Sequence, residues 1–151
     1  MQQQRPIRMK DASIIRVPRY PDDNGTLCVY QSGSDVPFQI RRVFSVRAKT
    51  HDIRGDHAHK RCTQFLVCLA GCLQVTCDNG VESTNFVLDE MDTGLFIPPR
   101  IWARQEYLKD DSVLMVLCDR EYEEDDYIRD YGAFLAWVRR VQASDRENEP
   151  E

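Results

Sequence analysis

The chain has 151 residues, 42% of them apolar and 30% charged, which suits one domain with a buried core and is short for two. Twenty lysines and arginines against 25 aspartates and glutamates leave a formal net charge of −5, the wrong sign for a general nucleic-acid binder. No window has the apolar length needed to cross a bilayer, and the opening MQQQRPIRMK lacks the apolar core of a signal peptide. The reading is therefore a soluble, cytoplasmic protein with no nucleic-acid or membrane partner.

Residues 1–143 read as a single domain, with 1–11 as its loose N-terminus. From Ala12 to Cys118 the chain reads as short β-strands separated by turns. Phe38, Ile40, Phe44 and Val46 alternate with more polar neighbours, the period of a half-buried strand. Phe65 to Leu69 is a continuous apolar run stopped by Gly71, and Leu73, Val75 and Cys77 alternate again. Asp78-Asn79-Gly80 is the strongest hairpin signal in the chain. Phe86 with Leu88, Leu95 to Ile97 and Val113 to Leu117 follow as strands, and Pro98-Pro99 ends the second of these. So many short strands predict an all-β sandwich or barrel.

Near the C-terminus Tyr127, Tyr131, Phe134, Leu135 and Val138 recur at helical spacing, with acids before them and Arg139-Arg140 after. One amphipathic helix closes the domain, with Glu121 to Asp126 read as its solvated N-terminus and the Asp125–Tyr131 block as structural. Asp145 to Glu151 carries four acids and one base, −3 of the −5 total, and residues 144–151 read as a disordered acidic tail. The six cysteines form no CxxC pair, which removes zinc-ribbon and thioredoxin readings. Cys68, Cys72, Cys77 and Cys118 lie in or beside apolar runs and read as reduced, buried small hydrophobes.

The informative stretch is Arg54-Gly55-Asp56-His57-Ala58-His59-Lys60, followed by Gln64 and Gly71. On a strand, His57 and His59 project from one face. Two imidazoles on one face bind a metal or move protons near neutral pH. The alternative is a pair of surface histidines, but two of the chain's three histidines at this spacing in a glycine-flanked turn favour function. His51, alone in a polar loop, is assigned none.

This pattern resembles the first motif of the cupin superfamily: a glycine, HxH, a glutamate and a later glycine, here Gly55, His57, His59, Gln64 and Gly71. The second cupin motif corresponds to Gly94–Ala103, with Ala103 where a metal-binding histidine is usual. Two of the four usual ligands are thus replaced, by Gln64 and Ala103, which disfavours metal-dependent chemistry. RGDHAHK, QFLVCLAGCLQV, DNG, GLFIPPRIW and VLMVLCDREYEEDDYIRDYGAFLAWV are similar, in the same order, to the sugar-nucleotide 3,4-ketoisomerases, which are metal-free cupins.

The resemblance implies a cupin jelly-roll barrel with a C-terminal helix and no cofactor or metal, and the edge strands of such an open sandwich predict a homodimer. It implies 3,4-ketoisomerisation of a nucleotide-linked 4-keto-6-deoxyhexose, typically dTDP-4-keto-6-deoxy-D-glucose. His57 is the first choice for the base, with His59 orienting substrate or sharing the proton relay. Arg54, Lys60, Arg100 and Arg41 are candidates for the diphosphate, Gln64 for substrate contact, and Trp102 for stacking on base or sugar or for filling the core. Phe44 stands where the family usually carries a proton-transferring tyrosine. The alternatives are a non-catalytic sugar-nucleotide-binding cupin, favoured by Phe44 and Ala103, and the 3,5-epimerase of the same intermediate.

Overall fold

The computed structural model describes residues 11–150. The loose N-terminus expected over residues 1–11 lies, but for Asp11, outside the described residues. The strands are β1 (Ser13–Arg16), β2 (Arg19–Asp22), β3 (Gly25–Cys28), β4 (Arg42–Ala48), β5 (Ile53–His59), β6 (Gln64–Ala70), β7 (Leu73–Asp78), β8 (Ser83–Leu88), β9 (Thr93–Ile97), β10 (Trp102–Tyr107), β11 (Ser112–Cys118) and β12 (Tyr127–Ile128). A helix, α1, spans Tyr131–Glu147. Two five-stranded antiparallel sheets, ordered β1-β9-β6-β11-β4 and β12-β5-β10-β7-β8, face one another, and β2-β3 forms a separate hairpin. This is the jelly-roll layering expected of an all-β cupin with a C-terminal helix.

The register shows how the sequence builds this sandwich. Leu66, Cys68, Leu95, Leu114 and Val116 from the first sheet meet Leu73, Val75, Cys77, Leu88 and Tyr107 from the second in one dry core. Behind the first sheet, Phe65, Val67 and Leu117 pack with Val17 and Val36 in a second cluster. Strand β6 is therefore buried on both faces, which explains its unbroken apolar run. Gly94 on β9 belongs to this packing, because a Cβ there would lie 1.8 Å from Cζ of Phe65.

Several local readings change. Phe38 and Ile40 do not extend β4; they lie in the preceding loop and pack on the second cluster. Residues 78–83 close the β7–β8 hairpin, with the Asp78 carboxylate accepting from Gly80 N (2.6 Å) and Asn79 Oδ1 accepting from Val81 N and Glu82 N (2.9 Å each). The helix begins at Tyr131, not before Tyr127, because Asp130 caps it by accepting from Ala133 N at 2.8 Å. Upstream, Glu124–Asp126 forms one 3-10 turn and Tyr127-Ile128 adds β12 to the edge of β5.

At the other end, residues 144–147 are helical where a disordered tail was expected. Asp145 there meets Arg100 at 2.7 Å, tying the last turns to the barrel. All six cysteines are free, but Cys72 is only half-buried, whereas Cys62 is as buried as Cys68, Cys77 and Cys118. No helix among the described residues is long and apolar enough to cross a membrane.

Candidate active site

At one end of the sandwich the inner faces turn polar. On the first sheet, Arg42 pairs with Cys118 and Cys118 with Gln64, so these three side chains form one cross-strand row on the inner face. On the second sheet, His57 pairs with Ala103 and Tyr127 with His59, which puts both histidines and Tyr127 on the face that looks back at that row. The His57 and His59 rings are 5.1 Å apart at 88°, and Tyr127 lies 5.1 Å from the first and 4.4 Å from the second. The Arg42 guanidinium lies 5.5 Å over the Phe44 ring and 5.4 Å over the Tyr122 ring, within cation–π range, at the outer rim.

Strand β5 is bulged where the motif needs it. Gly55 and Asp56 both have positive φ, +80° and +56°, and the ladder skips Asp56 between the His57–Ala103 and Gly55–Arg104 pairs. The extra residue shifts the alternation, so Arg54, three residues before His57, pairs with Gln105 in the same inner row as Ala103. A Cβ on Gly55 would stand 2.9 Å from the Ala103 carbonyl oxygen, so this approach suits glycine.

His59 is the most constrained group. It is 6% exposed, and its Nδ1 lies 2.8 Å from Oδ2 of Asp126, which is 2% exposed. The other Asp126 oxygen accepts from Arg61 N at 2.7 Å. Nε2 of His59 and Nε of Arg42 are both buried, with no hydrogen-bond partner among the described residues. Burial pushes the His59 imidazole below its ordinary range, against the opposing pull of Asp126. Burial, with the neighbouring His59, lowers His57 to about 4. Both rings are therefore neutral at pH 7 and able to accept a proton. Burial opposes ionisation of Asp126, but the hydrogen bonds from His59 and the backbone outweigh it and hold the carboxyl below its usual range. The Cys118 thiol is held below its usual range by donors from Cys62, Arg42 and Gln64.

Of the residues singled out in the sequence, His57, His59 and Gln64 come together on the inner faces, while Arg54 falls on the inner row by register but is exposed. Lys60 sits just past β5, its backbone N donating to the Asp126 carbonyl at 2.9 Å. Arg41 is exposed and offers its backbone N to Cys118 O. Arg100 donates its backbone N to the His59 carbonyl at 2.9 Å, while its side chain is tied to Asp145 of the helix at 2.7 Å. Trp102 pairs with Ala58 on the outer face of the sheet and packs on Tyr131 (5.3 Å) and Phe134 (5.7 Å) of α1. Of its two candidate roles it therefore fills the interface between helix and barrel.

Sequence reasoning missed Arg42 and Tyr127, and it read Asp126 as part of a solvated helix start. The signal for Arg42 was present: it shares the parity of Phe44 and Val46. Asp126 carried no such signal in its local composition, because the five acids among residues 121–126 look solvated. Among the described residues, His59, Cys62 and Asp126 each offer an atom within 4.8 Å of the others, a possible cation set. Its carboxylate is already committed to His59 and the Arg61 amide.

Comparison with known proteins identifies the family. The family described as FdtA, WxcM-like, C-terminal, matches residues 10–139. The chain is 34% identical over 129 residues to the TDP-4-oxo-6-deoxy-alpha-D-glucose-3,4-oxoisomerase of Aneurinibacillus thermoaerophilus, covering 85% of this chain and 93% of that protein. The sugar 3,4-ketoisomerase QdtA from Thermoanaerobacterium thermosaccharolyticum, crystallised with TDP, superposes with a TM-score of 0.84 at 28% identity, over 88% of this chain and 98% of that one. A 3,4-ketoisomerase from Helicobacter canadensis gives 0.82 at 30% identity, over 85% and 98%. With two inner-face histidines on a bulged strand, a buried acid behind one of them and this breadth of match, the chain belongs to the FdtA family of sugar 3,4-ketoisomerases.

Proposed function

We propose that this chain moves the keto group of a nucleotide-linked 4-keto-6-deoxyhexose from C4 to C3, with dTDP-4-keto-6-deoxy-D-glucose as substrate and His57 as the base. The observation that carries the base assignment is access: the His57 ring is only half-buried on the inner face, whereas Nε2 of His59 is buried and its other nitrogen is tied to Asp126. His57 takes the proton from C3, and the C–H electron pair becomes the C3=C4 double bond as the O4 carbonyl becomes an enediolate oxygen. A proton then leaves O3 and reaches O4, and the imidazolium returns its proton to C4. C4 ends as an alcohol carbon and C3 as the ketone, with no net gain or loss of atoms or electrons.

A neutral imidazole suits the task because its free lone pair accepts a proton and the imidazolium, held below its ordinary range by burial, readily gives it back. Arg42 faces the same space and offsets the enediolate charge. His59, T-shaped against His57, orients the substrate or shares the relay. Phe44 supplies no hydroxyl, and Tyr127 is the phenol packed on both histidines. Arg54 at the inner rim and Lys60 beside His59 are assigned to the diphosphate, and Gln64 to the sugar. The substrate class is supported by the name of the curated relative and by the TDP bound to QdtA. The working unit is a homodimer, because β4 is a sheet edge with Val43 57% and Phe44 37% exposed.

The test is turnover of the keto sugar by wild type and by the His57→Asn and His59→Asn variants, with affinity measured in parallel. His57→Asn is expected to lose about 10²- to 10⁴-fold in kcat while still binding substrate. Full turnover in that variant overturns the base assignment. Binding without turnover in the wild type replaces the enzyme with a sugar-nucleotide-binding protein. Light scattering at the monomer mass would overturn the dimer.

A further inference from the structure

We infer that Cys118 is a positioning residue whose sulfur anchors the Arg42 guanidinium to the inner wall of the first sheet, so that the cation faces the reacting sugar from one fixed place. The inference rests on the proposed role of Arg42 and adds to it the group that holds Arg42 there.

Register brings the three side chains together. Strand β11 lies between β6 and β4, and Cys118 at its end stands directly opposite Arg42 on one side and Gln64 on the other. A short side chain between two long ones is the point on which both can converge. Nη2 of Arg42 donates to Cys118 Sγ at 3.5 Å, and Nε2 of Gln64 donates to the same sulfur at 3.7 Å. Cys118 is fully buried, and its carbonyl accepts from Arg41 N at 2.8 Å, so the sulfur sits on a clamped strand end. Nε of Arg42 is buried with no hydrogen-bond partner among the described residues, so Nη2 is where the guanidinium takes its hold. Arg42 as a whole is only half-buried, and other donors of its fork remain for a sugar oxygen.

Charge favours the same pairing. A guanidinium is always protonated and only donates, so the sulfur must accept, and a thiolate accepts far better than a thiol. The Cys62 thiol, followed by Arg42 and Gln64, holds the Cys118 thiol below its ordinary range against burial. The Cys118 sulfur and burial push the Cys62 thiol up, so Cys118 is the member of that pair that ionises. Burial opposes the charge on Arg42, but Cys118 and the Tyr127 phenol outweigh it and raise its pKa. The groups facing Cys118 are Arg42 from β4, Gln64 from β6 and Cys62 from the segment before β6. Arg42 is the cation among them, and removing it takes away the charge that favours the thiolate.

The experiment measures kcat and KM for dTDP-4-keto-6-deoxy-D-glucose, and the ultraviolet absorbance of thiolate against pH. It compares wild type, Cys118→Ser, Cys118→Ala, Arg42→Met and the paired variant Arg42→Met with Cys118→Ala. The difference between wild type and Cys118→Ser shows a thiolate with its midpoint below the ordinary cysteine value of about 8.5, and Arg42→Met moves that midpoint up. Cys118→Ala lowers kcat about tenfold with KM changed less than about threefold, because the cation is present but no longer fixed. Cys118→Ser, whose hydroxyl accepts from the same guanidinium, recovers part of the loss. The paired variant falls no further than Arg42→Met alone, since Cys118 acts through Arg42.

Losses that add in the paired variant, a change confined to thermal stability, or a Cys118 thiol that titrates at the ordinary value with and without Arg42 overturns the inference. Failure of the Arg42 assignment reads differently: Arg42→Met then keeps its kcat while the Cys118 midpoint still moves. Should Cys118→Ala not fold, Cys118→Ser and the two titrations decide, because an Arg42→Met midpoint equal to that of wild type excludes the anchor.

Discussion

Acid should destabilise this protein through His57 by an amount that follows from the site. Burial and the neighbouring His59 lower His57 to about 4 in the folded chain, whereas an unfolded histidine titrates near 6.5. A base with a depressed folded pKa contributes stability above its unfolded pKa and loses it as pH falls toward the folded one, because the unfolded chain binds the proton first. Across the full window, roughly 6.5 to 4, the loss approaches about 3 kcal/mol; between pH 7 and pH 5 it comes to about 2 kcal/mol. Urea unfolding at both pH values measures this directly, with a wild-type midpoint lower at pH 5 by about 1 M from this group alone. In His57→Asn the change with pH shrinks by about 2 kcal/mol. Equal pH sensitivity in wild type and variant would refute the argument, since His57 would then titrate as an ordinary exposed ring.

Other expectations follow from particular contacts. Gly94→Ala drives a methyl into the fully buried Phe65 ring, whose nearest atom would be 1.8 Å away, so stability falls by about 3 kcal/mol and Tm by roughly 10 °C; a Tm within a few degrees of wild type would contradict the packing. Gly55→Ala meets the Ala103 carbonyl at 2.9 Å and costs about 1–2 kcal/mol in left-handed backbone. It also disturbs the bulge that aims Arg54, so KM for the nucleotide sugar rises more than kcat falls, and the reverse pattern would argue against Arg54 as a diphosphate contact. Arg42→Met removes the cation facing the enediolate and lowers kcat by about 10²-fold; unchanged kcat removes Arg42 from the mechanism.

How far the sequence discloses the site depends on which signal each residue carries. Strand alternation places His57 and His59 on one face, and the same period, continued from Phe44 back by two, would have placed Arg42 beside them. Arg41 drew attention only as an arginine near the motif, and the register leaves it on the surface. Trp102 is one residue out of phase with Ala103, so the strand that keeps Ala103 inside must turn the indole toward the helix. Arg54 is the converse case: simple alternation puts it opposite His57, and only the Gly55-Asp56 bulge corrects that.

Asp126 was hidden for a different reason. Its partner is 67 residues away, and a run of acids ordinarily marks a solvated helix start, so nothing local distinguishes the one acid that is buried. The helix boundaries shifted for related reasons: Tyr127 and Ile128 have helical spacing to Tyr131 and Phe134 but are captured by the β5 edge, while Arg100 extends the far end by holding Asp145.

The measurement that bears most directly on the central claim is proton NMR of the enzyme with dTDP-4-keto-6-deoxy-D-glucose in deuterated water, following C3, C4 and C5 separately. A 3-keto product appearing with exchange confined to the C3/C4 region, and lost in His57→Asn, is the predicted result. Exchange at C5, or binding with no exchange at any carbon, would contradict it.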